Sequence, residues 1–158
     1  MIKLNSILVP VDFADISQKA AHYGAELARA MGGKLYIFHV INQRIIDLTQ
    51  ELSLKGFYDQ EFRDVMNSMV QDRKNDMNVF VPKIWREGLD VEFEIRKGKP
   101  ADEILKFAKE KDVDLIIVGT TGKSALQAAL IGSVARNIVN HAPCPVIVWR
   151  PGQQDFVK

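Results

Sequence analysis

The chain has 158 residues, 47% of them apolar and 26% charged, with a formal net charge of +1. That length supports a real hydrophobic core, and the balanced charge supplies no global field for nucleic acid or an anionic membrane. The single Cys144 excludes an intrachain disulfide, allows no zinc set around it, and points to a reducing compartment.

The N-terminus, Met1-Ile2-Lys3-Leu4-Asn5-Ser6, runs straight into a strand pattern without the apolar run and small-residue site of a signal peptide. No apolar stretch is long enough for a bilayer span. A cytoplasmic protein without membrane insertion is therefore expected, folded as one domain over residues 1–150 with a polar tail over 151–158.

The first strand is Ile7-Leu8-Val9-Pro10-Val11, a short apolar run typical of a buried parallel strand, with Pro10 near its end and Asp12 just beyond. Asp15 or Ser17 then offers N-cap chemistry for a helix whose buried face is Ile16, Ala20, Gly24, Leu27 and Met31. Gly32-Gly33 stops it. Leu35 to Val40 form the second strand. Residues 41–58 are apolar in places without a clean period, and read as a mobile, partly helical connection over a site or an interface.

Helical spacing returns from Asp59 to Trp85, through Phe62, Met66, Met69, Met77, Phe80 and Ile84, with Pro82 expected to kink the helix or end it early. The methionines suit adaptable core filling. Val91 to Arg96 alternates strictly, which suits a half-exposed strand at a sheet edge. Gly98-Lys99-Pro100 turns into a helix facing inward through Ala101, Ile104, Leu105 and Ala108. A fourth strand, Val113–Val118, follows. Beyond a glycine-bearing loop, a last helix runs from Ser133 to about Asn140, and Val146–Trp149 closes as a fifth strand.

Strands and helices alternate throughout, so the expected fold is α/β: an open five-stranded parallel sheet with helices on both faces and right-handed crossovers. The edge-like third strand and the fully apolar first and fourth runs suggest the order 3-2-1-4-5. The winding then reverses between the first and fourth strands, and ligands in such sheets bind at that point, beyond the carboxyl ends of the strands. Asp12 and Gly119 stand at those two ends.

The loop after the fourth strand reads Gly119-Thr120-Thr121-Gly122-Lys123-Ser124 and runs on to Gly132-Ser133-Val134. A phosphate-cleaving P-loop needs four residues between its first glycine and Gly-Lys-Ser, and here there are two. The dinucleotide pattern G-x-G-x-x-G is also missing after any strand-like run. What stands is G-x-x-G, nine residues, then G-S. Glycines let backbone approach a phosphate, and the helix start behind Ser133 presents unpaired N–H groups and a positive dipole end. Ser133 reads as N-cap and hydroxyl donor, Lys123 as a point charge for a phosphate tail.

That spacing resembles the nucleotide-binding signature of the universal stress protein family. The resemblance extends along nearly the whole chain, through Ile7–Asp12, Phe38-His39-Val40, Gly98-Lys99-Pro100 with Ile104, and Ala142-Pro143-Cys144-Pro145-Val146. It implies an adenine nucleotide alpha hydrolase-like, Rossmann-like fold and binding of ATP, with ADP or AMP as other resident ligands and Mg²⁺ accompanying the nucleotide. The implied binding set comprises Pro10, Val11 and Asp12 at the ribose and phosphate end, Val40 offering backbone groups to adenine, and Val118, Gly119, Gly122 and Lys123 along the loop. Gly132, Ser133 and Val134 would hold the phosphates. Asp12 is also the one metal contact implied. Many relatives carry histidine or arginine before the second glycine, where this chain has Thr121.

Blander readings stand beside these. Glycines turn chains, serines cap helices, and Asp12 suits a cap for the first helix as well as a ligand contact. His39 ends a buried strand and reads as a packed, hydrogen-bonded histidine. No Ser/His/Asp grouping emerges, and no general base or arginine finger is identifiable near the loop, so at most slow ATP hydrolysis or autophosphorylation is expected. The reading is a nucleotide-dependent sensor or regulator in the stress response, with a downstream protein partner of unknown identity. The alternative is a nucleotide-independent interaction scaffold using residues 41–58 and the sheet edge. An enzyme that adenylates a substrate ranks below both, since no S-G-G-x-D-S loop follows the first strand. Family resemblance and the exposed edge of residues 146–149 together imply a homodimer through the last strand.

Overall fold

The computed structural model describes residues 3–53, 59–120 and 131–154. The elements in chain order are β1 (Ser6–Pro10), α1 (Asp15–Met31), β2 (Lys34–Asn42), α2 (Gln43–Ser53), α3 (Asp59–Phe80), α4 (Lys83–Arg86), β3 (Val91–Gly98), α5 (Pro100–Glu110), β4 (Leu115–Gly119), α6 (Ser133–His141) and β5 (Val146–Trp149). All sheet pairings are parallel and the strand order is β3-β2-β1-β4-β5, as the sequence led us to expect.

Alternation along the inner strands divides the core in two. Ile7, Val9, Leu35, Ile37, Leu115 and Ile117 face one layer, where the alanine face of α1 packs with Met77 and Val81. Leu8, Tyr36, Phe38, Ile116 and Val118 face the other, against Ile104, Phe107 and Ala108 of α5 and Ala135 and Ile138 of α6. Because both faces are covered, the middles of the inner strands, residues 7–10, 35–38 and 115–118, are continuous apolar or aromatic runs, the pattern a parallel sheet favours. Asp114 fastens the two central strands at their starts: its Oδ2 accepts the N–H groups of Asn5 at 2.6 Å and Ser6 at 3.0 Å.

Several local expectations are corrected. Residues 41 and 42 extend β2 to the full length of β3, pairing Ile41 with Lys97 and Asn42 with Gly98. The Asn42 side chain accepts the N–H of Arg44 at 3.1 Å and turns the chain into α2, so a regular helix occupies most of the segment read as a mobile connection. Residues 54–58 of that segment lie outside the described residues. The N-cap of α1 is Ala14, not Asp15 or Ser17. Ser17 lies inside the first turn, where its hydroxyl donates to the Ala14 carbonyl at 2.9 Å and accepts the Asp12 N–H at 3.2 Å. Gly32 closes α1 in the left-handed conformation, φ 67°. Pro82 does end the long helix, and serves as N-cap of the one-turn α4. Met66 and Met77 are buried core residues.

Candidate functional site

The β1–β4 pairing runs over Ile7↔Leu115 and Leu8↔Ile116. Beyond it, at the carboxyl ends of the strands, lies a cavity of about 790 Å³. Pro10, Val11, Asp12, Val40, Val118, Gly119, Gly132, Ser133 and Val134 all line it. Topology thus brings together nine residues from four separate stretches of sequence. Gly122 and Lys123 lie outside the described residues.

One wall is the start of α6. Gly132 is its N-cap, so Ser133 is the first helical residue rather than the cap, and no side chain among the described residues caps this end. The first intrahelical bond runs from the Arg136 N–H to the Gly132 carbonyl at 3.0 Å. The N–H groups of Ser133, Val134 and Ala135 precede it, and these residues line the cavity. Unpaired helix-start donors and the positive dipole end make this wall suited to an anion.

The glycines there serve packing as well as openness. A Cβ on Gly132 would stand 3.1 Å from the Thr120 carbonyl, which already accepts the Gly132 N–H at 2.6 Å. A Cβ on Gly119 would stand 2.6 Å from Cγ2 of Ile16. Gly119 is therefore the point where α1 rests on the end of β4, a role the spacing alone does not disclose.

Thr120 follows. Its N–H donates to the Trp149 carbonyl at 2.8 Å, and its buried Oγ1 has no hydrogen-bond partner among the described residues. A buried hydroxyl without a partner is costly, and this one belongs to a residue that lines the cavity. A hydroxyl without a partner among the described residues, a helix start whose first N–H groups have no intrahelical partner and a glycine cradle that a Cβ would crowd together fit a phosphorylated ligand.

The middle of the cavity is apolar, lined by Phe38, Val40, Val118, Pro100 and Ile104, and suits a flat base. Asp12 stands on the rim. Its Oδ1 accepts the Ala14 N–H at 3.1 Å, a helix-entry bond, while its carboxylate stays exposed. That bond reaches the N–H of the N-cap residue itself, so Asp12 turns the chain into α1 without capping it, and one such bond leaves acceptor capacity for a ligand.

Sequence reasoning did not identify several lining residues. Phe13 has a left-handed backbone, φ 65°, and its ring lies 4.7 Å from that of His39 and 5.2 Å from that of Phe80. His39 Nδ1 is 2.8 Å from the Val11 carbonyl; since a carbonyl only accepts, Nδ1 carries a hydrogen. The histidine is packed and bonded as expected, yet it also lines the cavity. Ile45 of α2 and Met69 and Arg73 of α3 close the remaining side. Those three sit on helices whose placement over the strand ends is a tertiary matter, though the apolar content of α2 hinted at it. Cys144 is half-buried just before β5, packed against the α5–α6 layer, and burial, with Asp114 nearby, pushes its thiol up.

Comparison with known proteins agrees with this architecture. The profile described as "Universal stress protein family" matches residues 3–150. Universal stress protein MJ0531 of Methanocaldococcus jannaschii is 31% identical over 150 residues, covering 94% of this chain and 84% of that protein. The structure of UspA from Lactobacillus plantarum superposes with a TM-score of 0.75 at 25% identity, covering 95% of this chain and all of that one. A universal stress protein from Archaeoglobus fulgidus, solved in complex with dAMP, superposes with a TM-score of 0.62 at 25% identity, covering 95% and 100%. With its sheet order, the cavity at the point where the winding reverses, and the profile match over nearly its full length, the chain belongs to the universal stress protein family.

Proposed function

We propose that the chain binds ATP in the cavity between β1 and β4 and acts as a nucleotide-dependent sensor or regulator. The observation that carries the reading is the α6 start, whose first N–H groups have no intrahelical partner, lining the same cavity as the apolar Val40, Val118 and Ile104. The A. fulgidus relative holding dAMP supports the adenine part of the reading. The phosphates would lie on Gly132, Ser133 and Val134, whose start is tied to Thr120 through the Gly132 N–H to Thr120 carbonyl bond. Adenine would lie beside Val40.

Mg²⁺ would enter with the nucleotide, held mainly by phosphate oxygens, as this ion commonly is. Asp12 is the only carboxylate among the described residues that line the cavity, and so the candidate protein contact. Hydrolysis would be slow: His39, the only histidine among the described lining residues, is committed through Nδ1 to a backbone carbonyl, and Asp12 would be taken up as the Mg²⁺ contact. The site holds its ligand, and a conformational or interaction change in a protein partner would read out occupancy.

The assembly proposed is a homodimer through β5. This strand pairs with β4 on one side, and its Val146, Ile147 and Val148 are partly exposed. Pairing two copies about a twofold axis would satisfy both edges. Among the described residues no helix is long and apolar enough to cross a membrane. With one half-buried cysteine, we assign the protein to the cytoplasm.

Denaturing the purified protein and analysing the supernatant by mass spectrometry is expected to release ATP, ADP or AMP. Titration with Mg-ATP is expected to saturate at one site per chain, and Gly132→Val to abolish binding while circular dichroism stays unchanged. An empty supernatant with no heat on adding Mg-ATP would sink the reading. Sedimentation at micromolar concentration is expected to give a dimer, and a monomer there would exclude the β5 pairing.

A further inference from the structure

The inward stripe of α3 reads Phe62, Met66, Met69, Arg73, Met77 and Phe80. Met66 and Met77 are buried, and the others are partly buried. Every position is apolar except Arg73, and that exception falls where the helix passes over the cavity. The Arg73 side chain lines the cavity while remaining 41% exposed, so its charge stays hydrated on one side and faces the cavity on the other.

Arg73 is held in place from below. Its guanidinium carbon lies 5.6 Å from the Phe13 ring centroid, a cation–π contact. Phe13 reaches that position through a backbone conformation uncommon for an aromatic residue, φ 65°, and its ring is gripped between His39 and Phe80. The C-terminus of α3 is tied to α1, where Gln18 Nε2 donates to the Phe80 carbonyl at 2.8 Å. Arg73 also pairs with Asp76 one turn on, Nη1 to Oδ2 at 2.7 Å, at the border of a smaller neighbouring cavity of about 460 Å³. A guanidinium carries five donors, so this single pairing leaves others for a ligand.

Charge makes the case stronger. Among the described residues that line the main cavity, Arg73 is the only arginine or lysine, and Asp12 the only carboxylate. A nucleotide with several negative charges entering beside Asp12 needs compensation beyond the partial charge of one helix end. We propose that Arg73 is a specificity-determining residue of this cavity, a cation carried by α3 that selects phosphorylated ligands over the uncharged nucleoside. Asp76 competes for the same guanidinium and tempers that selection. The proposal rests on the nucleotide-binding reading and assigns to α3, outside the glycine signature, a direct part in it.

The test is calorimetric titration of the full chain with Mg-ATP, AMP and adenosine, on the wild type and three variants. Arg73→Gln is expected to weaken Mg-ATP binding about tenfold, the scale of one charged hydrogen bond, and to leave adenosine within about twofold. Arg73→Lys keeps the charge and is expected to retain more than half of the lost discrimination. Asp76→Asn, which frees the guanidinium, is expected to tighten Mg-ATP and leave adenosine unchanged. An Arg73→Gln variant whose ATP-to-adenosine ratio equals that of the wild type overturns the Arg73 assignment alone, as does a weaker Asp76→Asn. A wild type that binds none of the three ligands overturns the nucleotide reading itself, and this proposal with it.

Discussion

Gly119 and Ile16 meet so closely that a methyl group on the glycine would lie 2.6 Å from the isoleucine Cγ2. The contact seats the first turn of α1 on the end of β4, beside the lining residues Ser17 and Gly119. A glycine of the G-x-x-G spacing is thus also a packing point between helix and sheet. Gly119→Ala is expected to destabilise the protein by about 1–3 kcal/mol through overpacking. Ile16→Ala removes the clashing methyl, so the double variant is expected to be more stable than the two single costs added together. Urea denaturation of the four proteins measures the coupling; simple additivity would show that the contact relaxes elsewhere.

Thr120 carries a buried hydroxyl with no partner among the described residues, on the wall that the α6 start completes. Thr120→Val keeps the shape and removes the orphan oxygen. The nucleotide-free protein is expected to be equal in stability or up to about 1 kcal/mol more stable, since an unmade buried hydrogen bond is costly. Mg-ATP affinity is expected to fall about three- to tenfold, the scale of one neutral hydrogen bond. Thermal melting without and with ligand separates the two effects. A variant that loses stability and keeps affinity would assign Thr120 to the fold alone.

Arg96 on β3 gathers three carboxylates: Glu94 at 3.2 Å, Glu103 at 4.0 Å and Glu110 at 2.6 Å. The Glu110 carboxyl is held below the usual glutamate range, first by its hydrogen bond from Arg96. A depressed carboxyl contributes stability above its unfolded value and loses that contribution as pH falls through the folded value. Melting temperature is therefore expected to drop on acidification below about pH 4.3, the ordinary glutamate value. Glu110→Gln is expected to drop less over the same window. Because the pair is exposed, the difference is small, and it is expected to shrink with added salt. Parallel melting curves for both proteins between pH 3 and 6 would remove the pair from the acid response.

Cys144 sits half-buried between two prolines, and burial raises its thiol above the ordinary range. The thiolate is the reactive species, so alkylation by iodoacetamide at pH 7.5 is expected to run at least several-fold slower than for a free thiol. Unfolding in urea is expected to restore the free rate. A rate equal to that of glutathione in the folded protein would show an exposed, activated cysteine.

Much of the site was legible before any coordinates. The spacing from Gly119 to Ser133, the acid at the end of β1 and the apolar runs of β1 and β4 together pointed to one crevice, and nine of the expected residues line the cavity there. The runs were readable because a sheet covered on both faces keeps the middles of its inner strands apolar. Capping was less legible. Ser133 and Ser17 each have cap chemistry, but the helix starts fall one residue after Gly132 and Ala14, where backbone geometry decides. Side-chain type alone does not set that boundary.

By itself, then, the sequence determined the order of strands and helices, the edge position of β3 and the glycine signature at the end of β4. These follow from local periodicity and chain order. Only the tertiary structure decided that Phe13, His39 and Arg73 face the same cavity, and that Gly119 is spent on Ile16. A helical stripe reports that a residue points inward; it does not report what lies opposite. At Arg73 the stripe turns inward onto a cavity instead of a core, and only the packing of α3 across the strand ends reveals it.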